Sequence, residues 1–126
     1  MPHFDNENRV VLVVEDDELM RMHAADLVRD LGFQVIEAAN ADDAISLLES
    51  SRDVTVVFTD IQMPGSMDGL RFVAAVRDRW PPIALLVTSG QLSLPDTALP
   101  QGARFVAKPY SPHQLETHLL ALTGPV

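Results

Sequence analysis

Four places in the chain set a reactive side chain at the end of an apolar run. Asp60 follows VVFT at residues 56–59, and Glu15, Asp16 and Asp17 follow RVVLVV at residues 9–14. Thr88 and Ser89 follow IALLV at residues 83–87, and Lys108 follows RFVA at residues 104–107. A carboxylate at the edge of a buried run needs water or a cation beside it, because an unpaired charge is costly to remove from solvent. Several carboxylates in one place repel and take up protons unless a cation sits among them. The chain has no cysteine, and His3, His23, His113 and His118 show no ligand spacing and read as solvated. The donors are therefore oxygens, which suits Mg2+, an ion that takes a few carboxylates and keeps water. A metal alone calls for neither an ammonium nor a hydroxyl. A tetrahedral phosphoryl group on Asp60 calls for both, since the charge on its three oxygens must be neutralised. Lys108 is the only lysine among nine basic residues, which separates it from the arginines that carry ordinary surface charge.

The elements that must bring these groups together alternate between strand and helix. The apolar run at residues 9–14 reads as a strand buried on both faces. A helix to about Leu31 follows, with Met20, Ala24, Leu27, Val28 and Leu31 on one stripe and Gly32 at its end. Residues 33–38 (FQVIEA) form a second strand. Asn40 caps a second helix lined by Ala41, Ala44, Ile45 and Leu48. Residues 54–59 are the third strand, and a helix over about residues 70–79 stops at Trp80-Pro81-Pro82, because proline cannot continue it. Residues 83–87 and 104–107 are strands four and five. Ser111-Pro112-His113-Gln114 is a capping box with proline at the first helical position, opening a last helix to about Leu122 that Gly124 closes. The prolines at 95 and 100 predict a short, displaced or partly unwound helix over residues 91–102. Four fully apolar strands of five, each followed by a helix, predict a doubly wound parallel sheet with helices on both faces. In such a sheet ligands sit outside the carboxyl ends of the strands, where the reactive residues fall. Strand two ends in Ala38 and Ala39 and adds no chemistry there.

Composition narrows the function classes. The 126 residues make one domain, with a core over about residues 10–122 and a polar tail at residues 1–8. A formal net charge of −9 argues against binding nucleic acid or an anionic membrane, and fits cation or protein binding. No apolar run approaches the roughly 18 residues of a membrane span. The N-terminus MPHFDNENR does not read as a signal peptide, so a cytoplasmic location is expected.

The segments VLVVEDDE, VVFTDIQMPGSMDG, LLVTSG and FVAKPY, in this order at the ends of successive strands, resemble the receiver domains of bacterial two-component response regulators. The resemblance covers about residues 10–122 and implies a flavodoxin-like sheet of order 2-1-3-4-5. It implies that Asp60 is the phosphoacceptor and that Mg2+ is held by Asp16, Asp60 and the Gln62 carbonyl, with Glu15 acting through water. Thr88 and Lys108 then complete the catalytic set. Thr88 and Phe105 form the switch, and the Lys108-Pro109 bond is cis. The implied partners are a histidine kinase or phosphotransfer protein, docking near the first helix, and a downstream protein; the oligomeric state is left open. The implied domain catalyses only its own phosphorylation and dephosphorylation. Asp17 reads instead as a helix cap, Phe105 as a residue that also packs in the core, and Met63 and Pro64 as loop-shaping. Two features depart from the commonest pattern. SMDG makes the loop after MPG one residue longer, and the proline-bearing segment replaces a regular fourth helix, on a face that often makes dimer contacts.

The expectation is a stand-alone receiver, with a receiver cut from a hybrid kinase as the nearest alternative. A Mg2+-dependent phosphohydrolase on a similar sheet is a more distant one. Haloacid-dehalogenase phosphatases need D-x-D after strand one, where this chain has Glu15-Asp16-Asp17-Glu18. Toprim-type nucleases need it after strand three, where this chain has Asp60-Ile61-Gln62.

Overall fold

The computed structural model describes residues 9–50, 53–62, 68–90 and 99–124. Five strands, β1 (Val10–Val14), β2 (Gln34–Ala38), β3 (Val54–Asp60), β4 (Ala84–Ser89) and β5 (Arg104–Ala107), form one parallel sheet in the order β2-β1-β3-β4-β5. The helices are α1 (Glu18–Asp30), α2 (Ala41–Ser50), α3 (Gly69–Arg79) and α4 (Pro112–Thr123). The expected doubly wound sheet is present. Residues 101 and 102 are in a turn and residues 99 and 100 are not helical; the remainder of the expected short fourth helix lies outside the described residues, as do the polar tail, Met63, Pro64 and most of the lengthened loop.

Strand alternation divides the apolar residues between two faces. Leu12, Val14, Val57, Leu85 and Val87 pack with Ala44 and Leu48 of α2 and Phe72, Val73 and Val76 of α3. Val11, Val13, Val56, Phe58, Leu86 and Val106 pack with Ala24 and Val28 of α1 and Leu115 and Leu119 of α4. The central strands are apolar on both sides because helices cover both sides. The edge strand β2 is an exception: most of it is only half-buried.

The helix ends follow their capping chemistry. Asp17 accepts from the Met20 amide, Asp68 from the Arg71 amide and Asn40 from the Asp43 amide, each satisfying a donor that the first turn leaves unpaired. Ser111 and Gln114 make the reciprocal capping box at α4, with Pro112 in its first turn. Gly32 adopts φ 98° just past α1, a conformation open to glycine because it lacks a Cβ. One expectation for α1 fails. Met20 lies on the sequence stripe but is 43% exposed, and the buried residues of the helix are Ala24, Ala25 and Val28. The stripe holds only where α1 crosses the sheet. The first residues of the helix, Leu19, Met20 and Met22, are exposed instead.

Candidate functional site

The order β2-β1-β3-β4-β5 puts β3 between β1 and β4, so the ends of those strands adjoin. Asp60 pairs in register with Thr88, and Thr59 with Val14, the residue before Glu15. Ser89 pairs with Ala107, the residue before Lys108, and the Lys108 amide donates to the Ser89 carbonyl. Residues far apart in sequence thus meet on one rim. Glu15 and Asp60 are about 6% and 5% exposed and Thr88 is 3% exposed. The Lys108-Pro109 bond is cis.

Lys108 sits at the centre. Its Nζ donates to Asp60 Oδ2 at 2.6 Å and to Glu15 Oε1 at 2.9 Å. Burial alone would lower its pKa; the hydrogen bonds and charges of Asp60 and Glu15 outweigh that and raise it, so the ammonium is held charged. The Glu15 pKa is also raised, which for a carboxyl favours the neutral form. Burial raises its pKa more than Lys108 and the Asp17 amide lower it, and contact with the Asp16 side chain raises it further. The second oxygen of Asp60, Oδ1, accepts from the Gln62 amide at 2.8 Å. Both oxygens of this carboxylate are therefore fixed.

Thr88 stands out by what it lacks. Its Oγ1 is buried with no hydrogen-bond partner among the described residues. It borders a small cavity of about 10 Å3 shared with Glu15, Asp60, Phe58 and Tyr110. A buried polar atom left without a partner costs about 1–3 kcal/mol. The hydroxyl lies on the same small cavity as the Asp60 carboxylate that Lys108 holds.

Asp16 is exposed at the lip. Among the described residues no three acidic, histidine or cysteine side chains form a ready metal nest, since Lys108 bridges Glu15 and Asp60. The donors still suit Mg2+ by type: carboxylates and a main-chain carbonyl, all hard oxygens, in the small number that ion takes alongside its waters. Phe105 is half-buried on the α2–α3 face, opposite Val87, whereas Thr88 faces the α1–α4 side with Asp60.

Several features were not legible in the sequence. Tyr110 packs edge-on against Phe58 at 5.6 Å and closes the inner side of the rim. Arg21 of α1 donates to the Glu15 carbonyl at 3.0 Å and pairs with Glu37 at 3.5 Å. Gly69 lies hard against the main chain of Asp60 and Ile61. Leu19, Met20, His23, Pro109 and Tyr110 line a groove of about 540 Å3 that opens onto Glu15 and Lys108. The expectation of four solvated histidines fails at His118, which is half-buried and accepts from Arg104 Nε at 3.0 Å. The helical position alone does not reveal that β5 places an arginine beneath it. Trp80 is at the other rim, since the eleven residues of α3 carry the chain about 16 Å away from Gly69.

Comparison with known proteins places this geometry. The family model described as "Response regulator receiver domain" matches residues 11–120. Chemotaxis protein CheY1 of Helicobacter pylori is 32% identical over 120 residues, covering 90% of this chain and 96% of that protein. The hydrogenase transcriptional regulatory protein HoxA of Cupriavidus necator is 31% identical over 114 residues, covering 87% of this chain. The chain spans 23% of the length of HoxA, and the same share of a putative NtrX-like response regulator of Rickettsia bellii. In structure it is similar to a response regulator receiver protein from Sinorhizobium medicae, with a TM-score of 0.86 and 24% identity over 93% of this chain and 95% of that one. No described helix is long and apolar enough to cross a membrane. A family match across most of the chain, joined to a relative of similar size that aligns along nearly its whole length, makes this chain a member of the response regulator receiver domain family of two-component signalling proteins.

Proposed function

We propose that Asp60 accepts a phosphoryl group from the phosphohistidine of a kinase or phosphotransfer protein, and that this changes a protein-binding surface. The observation that carries the reading is the contrast within the rim: both oxygens of Asp60 are held by Lys108 and the Gln62 amide, while the neighbouring Thr88 hydroxyl has no partner among the described residues. One Asp60 oxygen attacks phosphorus in line with the departing imidazole nitrogen. An O–P bond forms as the N–P bond breaks, and the leaving nitrogen takes the bond pair and a proton. Lys108 then moves its ammonium from carboxylate to phosphoryl oxygen, and Thr88 donates to another of those oxygens. Asp16, Asp60 and the Gln62 carbonyl would hold Mg2+, with Glu15 behind them. The ion supplies positive charge beside the transferred oxygens when bound.

The donor docks over the start of α1. Leu19, Met20 and Met22 are 77%, 43% and 49% exposed there, and the apolar groove beside them leads to Lys108. Output passes through β4. Thr88 and Phe105 occupy opposite faces of the sheet, so a pull on the Thr88 hydroxyl reaches Phe105 through the strand that carries Thr88 and its neighbour Val87.

Transfer from a purified phosphohistidine donor tests the reading. Radiolabel is expected to pass to the chain in Mg2+ and to be released by hydroxylamine, as an acyl phosphate is. Label resistant to hydroxylamine, or no transfer from any histidine kinase of the source organism, would sink it.

A further inference from the structure

The phosphoacceptor's own peptide unit is gripped from several directions. The Asp60 carbonyl accepts from Thr59 Oγ1 at 2.9 Å, a hydroxyl buried completely within the sheet. The next amide, Ile61 N, donates to the Thr88 carbonyl at 3.1 Å. The Gly69 amide, at the first residue of α3, donates to the Ile61 carbonyl at 3.1 Å. Gly69 also has no room for a side chain. A Cβ there would collide with Ile61 Cα and lie 2.7 Å from the Asp60 carbonyl oxygen. The obstructing atoms are backbone, which cannot swing aside as a side-chain tip can.

From this geometry we infer that Thr59 and Gly69 are positioning residues for Asp60: they fix its peptide between β3 and the first turn of α3, and so set where its carboxylate stands against Lys108 and Thr88. The inference rests on the phosphoacceptor role proposed above. The carboxylate is separated from the clamped carbonyl only by Cα and Cβ, so a displaced peptide displaces the attacking oxygens. In-line attack is sensitive to such shifts, and a misplacement of about 1 Å can cost on the order of 100-fold in rate. Gly69 departs from the usual reading of a glycine at a helix start: its φ is not positive, and what it supplies is close approach.

The test compares Gly69→Ala, Thr59→Val and Thr59→Ser with the parent chain. Phosphoryl uptake from acetyl phosphate in Mg2+ is followed over a range of acetyl phosphate concentrations. Gly69→Ala is expected to lower the limiting rate roughly tenfold or more, with little change in the concentration giving half that rate. Thr59→Val is expected to lower it about fivefold, the equivalent of one net hydrogen bond. Thr59→Ser restores the donor and recovers most of the loss. Because Gly69→Ala risks folding poorly, the Thr59 pair decides the matter if it does. A second readout does not depend on phosphorylation: the NMR resonances of the Asp60 carboxyl carbon and the Gln62 amide are expected to shift in Thr59→Val and return towards parent values in Thr59→Ser. Parent-like rates and unshifted resonances in Thr59→Val would overturn the clamp, as would a rate loss in which serine fares no better than valine. If the parent chain itself takes up no phosphate on Asp60, the phosphoacceptor reading falls, and the resonances alone then decide whether the clamp exists.

Discussion

The two ends of the sheet are built on opposite principles. At the end where strands begin, Val10, Val54 and Ile83 are buried, and most charged side chains nearby are engaged, although Arg77 Nε is buried with no partner among the described residues. Arg9 donates to Thr123 Oγ1 at 2.9 Å and to the Gly124 carbonyl at 3.0 Å. Arg79 stacks 4.4 Å over Trp80 and bonds Glu49 at 2.7 Å. At the end where strands finish, the chain buries Glu15, Asp60, Thr88 and Ser89, holds two carboxylates with one ammonium and, among the described residues, leaves the Thr88 hydroxyl without a partner. The first end closes the molecule. The second keeps an electrostatic arrangement that costs stability, and such sites persist where chemistry requires them.

Removing the cation at the costly end should break this contrast most severely. Lys108→Met leaves Glu15 and Asp60 buried without their shared partner. In excess chelator it is expected to lose about 3 kcal/mol by urea unfolding, near the low end for a broken buried pair. Arg9→Ala at the other end should lose about 1 kcal/mol, the worth of ordinary hydrogen bonds. Added Mg2+ should narrow the Lys108→Met deficit and leave that of Arg9→Ala unchanged. Equal losses in the two variants would erase the distinction between the ends.

A smaller effect sharpens the chemistry of the reactive rim. A Cβ on Gly90 would lie 4.0 Å from Gln62 Oε1, so the two positions face each other across the approach to Asp60. Gln62 can orient a water molecule but cannot act as a base, and Gly90 offers no side chain. General base help is worth roughly 10²- to 10⁴-fold where it exists, so an intermediate acyl phosphate lifetime is expected. Gly90→Glu should change that lifetime several-fold while Mg2+ affinity stays the same. Unchanged dephosphorylation in both Gly90→Glu and Gln62→Ala would mean that water arrives by another path.

The smallest effect lies away from both ends. Burial and the nearby Arg104 charge lower the pKa of His118, so the unfolded chain takes up a proton there before the folded one does. The stability from this group is present above the ordinary histidine value of about 6.5 and is lost as pH falls through that value to the lower folded one. His118→Gln keeps an acceptor for Arg104 without the titration. It should flatten the fall in melting temperature below pH 6.5, and an identical fall in both proteins would remove His118 from the explanation.

The difference between the ends also explains what could be read from sequence. Asp60, Thr88 and Lys108 were legible because each ends an apolar run, and a parallel sheet gathers such ends on one rim. Asp17 and Ser111 were legible because capping is local. The exposed Met20, the Arg104–His118 bond and the Gly69 contact were not, because each depends on which element lies alongside, and helical periodicity carries no such information. The placement of Trp80 has a practical consequence: its fluorescence is a poor reporter for Mg2+ at the opposite rim, which amide resonances at Gln62 and Thr88 would report directly.

The most direct test of the central claim is the mass of the intact chain after incubation with acetyl phosphate and Mg2+. The parent chain is expected to gain one phosphoryl group, and Asp60→Asn none. Excess chelator should prevent the gain in the parent chain. An undiminished gain in Asp60→Asn, or full phosphorylation in chelator, would contradict the assignment of Asp60 as the acceptor on a cation-dependent rim.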